Sequence, residues 1–139
     1  MNYEETYITI ENKKEDDIEN TLFFDTYALY KIYEGDNNYS KYSEYKIVIT
    51  KLNLFEIYLA ILRDHGEEDA DKLFNSYYNL VRDFDENVIK QAAKLKNRLN
   101  KRNISMTDCI GYIFAKQLGI KFLTGDKEFE NLDNVEFVK

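Results

Sequence analysis

Thr21-Leu22-Phe23-Phe24-Asp25 is the stretch whose reading decides the fold. Its apolar residues follow one another without the polar alternation of a half-solvated strand, so it reads as a strand covered on both faces. Asp25-Thr26 closes it, and Tyr27–Tyr33 reads as a short helix. Working outward, Glu34–Ser43 holds Gly35, Asp36, Asn37 and Asn38 and reads as a loop with room for a helical turn. Tyr45–Thr50 (YKIVIT) is a second β-branched strand. Leu52, Phe55, Tyr58, Leu59 and Leu62 then recur at helical spacing through Asp64. His65-Gly66 closes that helix, and Glu67 opens another that runs to Leu80. A short strand is expected over Leu80–Phe84, then a long helix capped by Asp85 and reaching Arg102. A helix over Ser105–Leu118 is ended by Gly119, followed by a buried strand over Ile120–Thr124. A helical turn over Asp126–Glu130 and a last strand over Val135–Val138 complete the order. Strands alternating with helices imply βαβ units and a mainly parallel sheet of four to five strands, an α/β fold.

Composition bounds the rest. The 139 residues form one domain over 21–139, preceded by an acidic extension over 1–20 with seven acids against two lysines. In that extension Tyr7–Ile10 has the pattern of a short strand, and the remainder reads as a solvated tail. The net charge of −7 argues against a protein that coats nucleic acid, although acids gathered at a metal site are neutralised when the metal binds. One cysteine, Cys109, excludes an intrachain disulfide framework and a thiolate-rich zinc site. The apolar stretches are too short to cross a bilayer and no signal-peptide core precedes them, so a cytoplasmic protein without a membrane partner is expected. The only histidine, His65, sits at a helix end, which leaves no histidine-dependent nucleophile. No glycine-rich phosphate loop is present.

Four acids stand out by position: Asp25, Glu56, Asp108 and Asp126 each follow a buried strand or enter the first turns of a helix. In an open parallel sheet those places meet at the carboxyl edge of the strands. At about 4 Å and an effective dielectric of about 20, each pair of carboxylates there repels by roughly 4 kcal/mol. Protonation or a divalent cation relieves such crowding, so the pattern points to a hard-metal site and to phosphoryl chemistry. Each acid taken singly has a structural alternative. Asp25 fits an N-cap, Asn53-x-x-Glu56 and Ser105-x-x-Asp108 fit capping boxes, and Gly125-Asp126 fits a turn. Glu128 fits either an outer acid of the site or a solvated helix residue. Lys90, Lys94, Arg98 and Lys101 fall on one helical face, which suits either a phosphate backbone or plain solvation. Lys94 and Arg98 are its candidate phosphate contacts.

The ordered set Phe23-Phe24-Asp25-Thr26-Tyr27-Ala28-Leu29, Ile49-Thr50 with Asn53-Leu54-Phe55-Glu56, Asn103–Ile110 with Asp108, and Leu123-Thr124-Gly125-Asp126-Lys127-Glu128-Phe129 resembles the PIN-domain family, within it the VapC-like toxins of toxin–antitoxin pairs. The resemblance runs from Thr21 to Lys139. It implies a three-layer α/β/α sandwich and an Mg²⁺- or Mn²⁺-dependent ribonuclease using one or two ions, with Asp25, Glu56, Asp108 and Asp126 in the four acidic positions. Thr124 matches the hydroxyl residue before the last acid, and Glu128 stands where many members carry a second aspartate. The resemblance also implies a small antitoxin partner and a homodimer formed through Leu52–Leu80, whose apolar, Tyr-rich helices suit such contacts. Two other readings stand beside the toxin: a non-catalytic module of the same fold that binds RNA or protein, and a housekeeping nuclease that matures RNA.

Overall fold

The structure is a computed structural model that describes residues 18–100 and 102–139. The acidic extension therefore lies, up to residue 17, outside the described residues, and so does the strand expected over Tyr7–Ile10. Among the described residues four strands, β1 (Thr21–Phe24), β2 (Lys46–Val48), β3 (Lys121–Thr124) and β4 (Val135–Phe137), form one sheet in the order β2-β1-β3-β4, and every pairing is parallel. Between them run α1 (Thr26–Glu34), α2 (Lys51–His65), α3 (Glu67–Tyr77), α4 (Glu86–Arg98) and α5 (Met106–Leu118).

The period of two along β1 divides the core. Leu22 and Phe24 face one side with Leu123, Ala28, Leu29, Ile57, Ile61 and Leu73, and so bury α1, α2 and α3. Phe23 faces the other side with Phe122, Val88, Leu95, Ile110 and Phe114, and so buries α4 and α5. Both faces of the sheet are covered, as the unbroken apolar run of β1 requires, and the result is a three-layer α/β/α sandwich. On the second face Gly111 decides the spacing. A Cβ there would lie 2.7 Å from a Phe23 ring carbon and 3.2 Å from one of Phe122, so only glycine lets α5 approach the sheet this closely.

Some boundaries differ from the sequence reading, each for a local reason. The fifth strand reduces to a single parallel bridge between Ile49 and Val81. Ile49 N–H donates to Leu80 O and Arg82 N–H donates to Ile49 O, after which exposed Arg82 and Asp83 lead into the Asp85 cap of α4. The second strand ends at Val48 because Thr50 is taken as the N-cap of α2. The helix from Glu67 stops at Tyr77 and tightens into a 3₁₀ turn over Tyr78–Leu80, while the helical turn expected in the Glu34–Ser43 loop is a 3₁₀ turn over Asn37–Tyr42. The basic helix ends at Arg98, where Leu99 leaves helical geometry (φ −101°, ψ 32°). Beyond it the Lys96 ammonium donates to Ile104 O at 2.5 Å and Arg102 to Glu128 O at 3.0 Å, so two cations of the basic run fasten the chain that leads into α5.

Candidate active site

Strand order places the site. From β1 the chain crosses to β2 on one side, and later to β3 on the other, so the crossovers diverge between β1 and β3. In open parallel sheets a crevice opens at the carboxyl ends of the strands at such a point. Asp25 is the residue after β1, and Asp126 follows β3 by two. Asp25 N–H donates to Leu123 O at 3.1 Å, which holds the two strand exits together.

Around that crevice lies a cavity of about 700 Å³ whose walls include Asp25, Glu56, Asp108 and Asp126. Four separate segments supply these acids: the two strand exits, the second turn of α2 and the first turn of α5. The remaining two charged or polar candidates from the same strand exit differ. Thr124 is fully buried beneath the cavity, and Asp126 N–H donates to its hydroxyl at 3.0 Å. Glu128 is outside the lining, with its carboxylate 3.9 Å from Arg102 Nε. Lys94 and Arg98 are exposed on α4 and do not line the cavity; the cation that does is Arg63.

Capping and lining are not exclusive. Asp25 is the N-cap of α1 and accepts from Ala28 N–H at 2.7 Å through Oδ1. Asp126 caps the 3₁₀ turn over Lys127–Phe129 and accepts from Glu128 N–H at 3.0 Å, again through Oδ1. In each case one carboxylate oxygen fixes the side chain. Ser105 caps α5 by accepting from Asp108 N–H at 3.0 Å, as its spacing predicted. The cap of α2 lies one turn earlier than Asn53-x-x-Glu56 suggested. Thr50 is the N-cap and Asn53 its reciprocal partner, accepting from Thr50 N–H at 3.0 Å. Glu56 is therefore released from capping.

Glu56 is held instead by two residues that sequence reasoning did not single out as site residues. The Thr26 hydroxyl donates to Glu56 Oε1 at 2.5 Å, and Asn53 Nδ2 donates to the Thr26 hydroxyl at 3.2 Å. The buried Thr50–Asn53 cap thus orients Glu56 through one hydroxyl. The available signal was Thr26 itself, a β-branched residue with poor helix propensity at the first position of α1.

The electrostatics of the cavity follow from burial and crowding. Asp25 is 3% exposed, and burial pushes its carboxyl from 3.8 up to about 7, with the charges of Asp108 and Asp126 adding to the rise. The Thr124 hydroxyl and Ala28 N–H oppose it. Asp108 is raised to about 6, first by burial, with Glu56 and Asp126 adding, while the Ser105 hydroxyl opposes. Two carboxyl groups that hold protons near neutrality beside two more acids form a site that favours added positive charge.

The donors are hard oxygens, which suits Mg²⁺ or Mn²⁺. Among the described residues no three acids are gathered tightly enough to ligate one ion unaided. Mg²⁺ fits such a site, because it keeps several of its waters and takes few protein ligands.

Comparison with known proteins agrees with the geometry. The PIN-domain family model matches residues 22–135. No curated protein sequence matches the chain. The fold is similar to that of a toxin–antitoxin complex chain from Klebsiella pneumoniae, with TM-score 0.68 at 14% identity, over 84% of this chain and 96% of that one. It is also similar to VapC20 of Mycobacterium tuberculosis, a toxin that cleaves the sarcin–ricin loop, with TM-score 0.70 at 19% identity, over 86% of this chain and all of that one. The family match spans every strand exit and helix start that brings an acid to the cavity, and the chain belongs to the PIN-domain family.

Proposed function

We propose that the chain is a divalent-metal-dependent endoribonuclease that hydrolyses RNA phosphodiester bonds, and that it acts in the cytoplasm as the toxin of a toxin–antitoxin pair. The observation that carries this reading is the convergence of four carboxylates from four segments on one cavity at the sheet's switch point, in a member of the PIN-domain family. Asp25, Asp108 and Asp126 would hold a Mg²⁺ or Mn²⁺ ion in part through the ion's own waters, and Glu56 would complete the set directly or through a water. When bound, such an ion lowers the pKa of a coordinated water and offsets the negative charge that grows on the phosphate.

The protein's own residues prepare that chemistry. Asp25 and Asp108 give up protons as positive charge arrives, which ties affinity for the ion to pH. Thr26 keeps the Glu56 carboxylate aimed into the cavity, and Thr124 supports both strand exits from below. The cavity is open enough for a phosphodiester, and its acids are spread about it rather than closed into a cage. Hydrolysis adds the water oxygen to phosphorus and releases the leaving oxygen, which takes up a proton.

Loss of RNA cleavage with EDTA, recovery with Mn²⁺, and abolition by Asp25→Asn and by Asp126→Asn are expected. Cleavage that survives both substitutions refutes the reading. The dispersed acids favour one second reading, a non-catalytic module, which metal-induced stabilisation without cleavage of any RNA would support. Growth arrest on expression, relieved by Asp126→Asn, separates a toxin from a housekeeping nuclease. The antitoxin partner is supported by likeness to the Klebsiella pneumoniae complex. A homodimer is supported by Phe55, Leu59 and Leu62, which form one exposed stripe on α2, beside exposed Phe74 and Tyr78. Among the described residues no helix is long and apolar enough to cross a membrane.

A further inference from the structure

The cavity is larger than its acids require. Past Glu56 its wall continues along α2 through Leu59, Ala60 and Arg63, and it is faced from α1 by Tyr27 and Tyr30. Glu56, Leu59, Ala60 and Arg63 are spaced i, i+3, i+4 and i+7, one face of the helix. Seven residues carry Arg63 about 10 Å along the axis from Glu56. Helical side chains lean toward the helix N-terminus, so the long Arg63 side chain leans back toward the acids. Among the described residues its guanidinium forms no ion pair or hydrogen bond, although carboxylates share its cavity. The nearby Lys31 is different: it is 3.3 Å from Glu34 and 3.8 Å from Asp36, so its charge is already matched.

The two tyrosines are held firmly. The Tyr30 hydroxyl donates to Asp64 at 2.5 Å. The Tyr27 ring is 57% exposed, yet it meets Tyr39 edge to face at 6.4 Å and carries the Lys31 ammonium 5.1 Å from its centroid. A large aromatic surface kept open to solvent but fixed in orientation, sharing a cavity with an unpaired arginine, has the chemistry to receive a base and a phosphate. Stacking supplies a sequence-tolerant contact, and the guanidinium matches a phosphate bidentately.

We propose that this shelf is a subsite for one unstacked nucleotide of single-stranded RNA beside the scissile phosphate, with its base on Tyr27 and its phosphate on Arg63. The proposal rests on the nuclease reading above and names the part of the substrate that the acids do not touch. It also explains how a chain of net charge −7 can engage RNA: among the described residues one free cation, Arg63, lines the acid-lined cavity, where the ion and the arginine together would offset the local charge.

The test is fluorescence anisotropy with a labelled single-stranded oligoribonucleotide of mixed sequence, in Mg²⁺ buffer, using Asp126→Asn as the uncleaving background. Adding Arg63→Gln is expected to weaken binding about tenfold and to lower the slope of log affinity against log salt by about 0.7, the value of one phosphate contact on a single strand. Adding Tyr27→Ala is expected to weaken binding about tenfold with the salt slope unchanged, while Tyr27→Phe keeps the ring and the affinity. Lys72→Gln, an exposed cation on α3 outside this cavity, serves as the charge control. Melting temperatures establish that each variant is folded. In the active background Arg63→Gln is expected to raise KM with kcat little changed. Affinity and salt slope that Arg63→Gln and Tyr27→Ala leave unchanged overturn the subsite while the nuclease reading stands, and assign the shelf to a protein ligand. No binding of RNA in the Asp126→Asn background, with the parent protein still cleaving RNA, overturns the subsite alone; a parent protein that cleaves no RNA overturns both.

Discussion

Replacing Asp25 with asparagine in metal-free protein is expected to stabilise it, and to do so more as pH rises. Asp25 is buried at the carboxyl edge of the sheet, and its carboxyl is raised from 3.8 to about 7. Between those values the folded chain holds a proton that the unfolded chain has released, so stability falls with rising pH. The Asp25 contribution is therefore most favourable below about pH 4 and reaches its full cost above about pH 7. At 1.36 kcal/mol per pH unit the shift corresponds to a ceiling of about 4 kcal/mol. Asparagine keeps an oxygen able to accept from Ala28 N–H and remains a good N-cap, so the substitution removes the charge without removing the cap. The difference between Asp25→Asn and the parent protein is expected to widen by about 3 kcal/mol between pH 5 and pH 8, read by urea unfolding in EDTA. For a domain of this size that corresponds to about 10 °C in melting temperature. Taking the difference between the two proteins cancels the titration of acids remote from Asp25; the repulsion between Asp25 and Asp108 stays in the difference and acts in the same direction. A difference that stays constant across that range, or an asparagine variant less stable than the parent at pH 8, would refute burial as the origin of the raised carboxyl.

Other expectations follow from the same geometry. Mn²⁺ added at pH 8 raises the melting temperature of the parent and much less that of Asp25→Asn, because the ion relieves the cost the substitution has already removed; equal shifts in both would place the ion elsewhere. Thr26→Val keeps the volume but frees the Glu56 carboxylate, and RNA cleavage falls about tenfold or more with the fold intact by circular dichroism, the size usual for a residue that orients a ligand. Gly111→Ala forces a contact with Phe23 and destabilises by about 1–2 kcal/mol in urea unfolding, despite about 1 kcal/mol of gained helix propensity. Phe55→Glu places a charge on the exposed α2 stripe, where Phe55 is 69% exposed, and shifts a dimer to monomer by sedimentation velocity without lowering the melting temperature of the monomer.

Local chemistry along the chain determined most of the fold. The unbroken apolar runs of β1 and β3 require a sheet covered on both faces, and helices between strands require parallel pairing. Asp85, Ser105 and Gly119 bound α4 and α5 through contacts made within a few residues, which is why they are readable from the chain alone. The strand expected over Leu80–Phe84 failed because its pairing depends on a partner, Ile49, whose next residue is claimed by the Thr50 cap.

The four acids could be singled out by position because strand exits and helix starts are sequence features, and a parallel sheet gathers them at one edge. Tertiary structure alone decided how they are supported. The Thr26–Glu56 hydrogen bond joins residues 30 positions apart, and the Arg63 side chain reaches the same cavity from a helix end. Likewise the basic helix advertised Lys94 and Arg98, but the face of α4 that carries them is exposed to solvent and does not line the cavity. Helical spacing fixes which residues share a face of a helix; only packing against the sheet fixes which cavity that face lines.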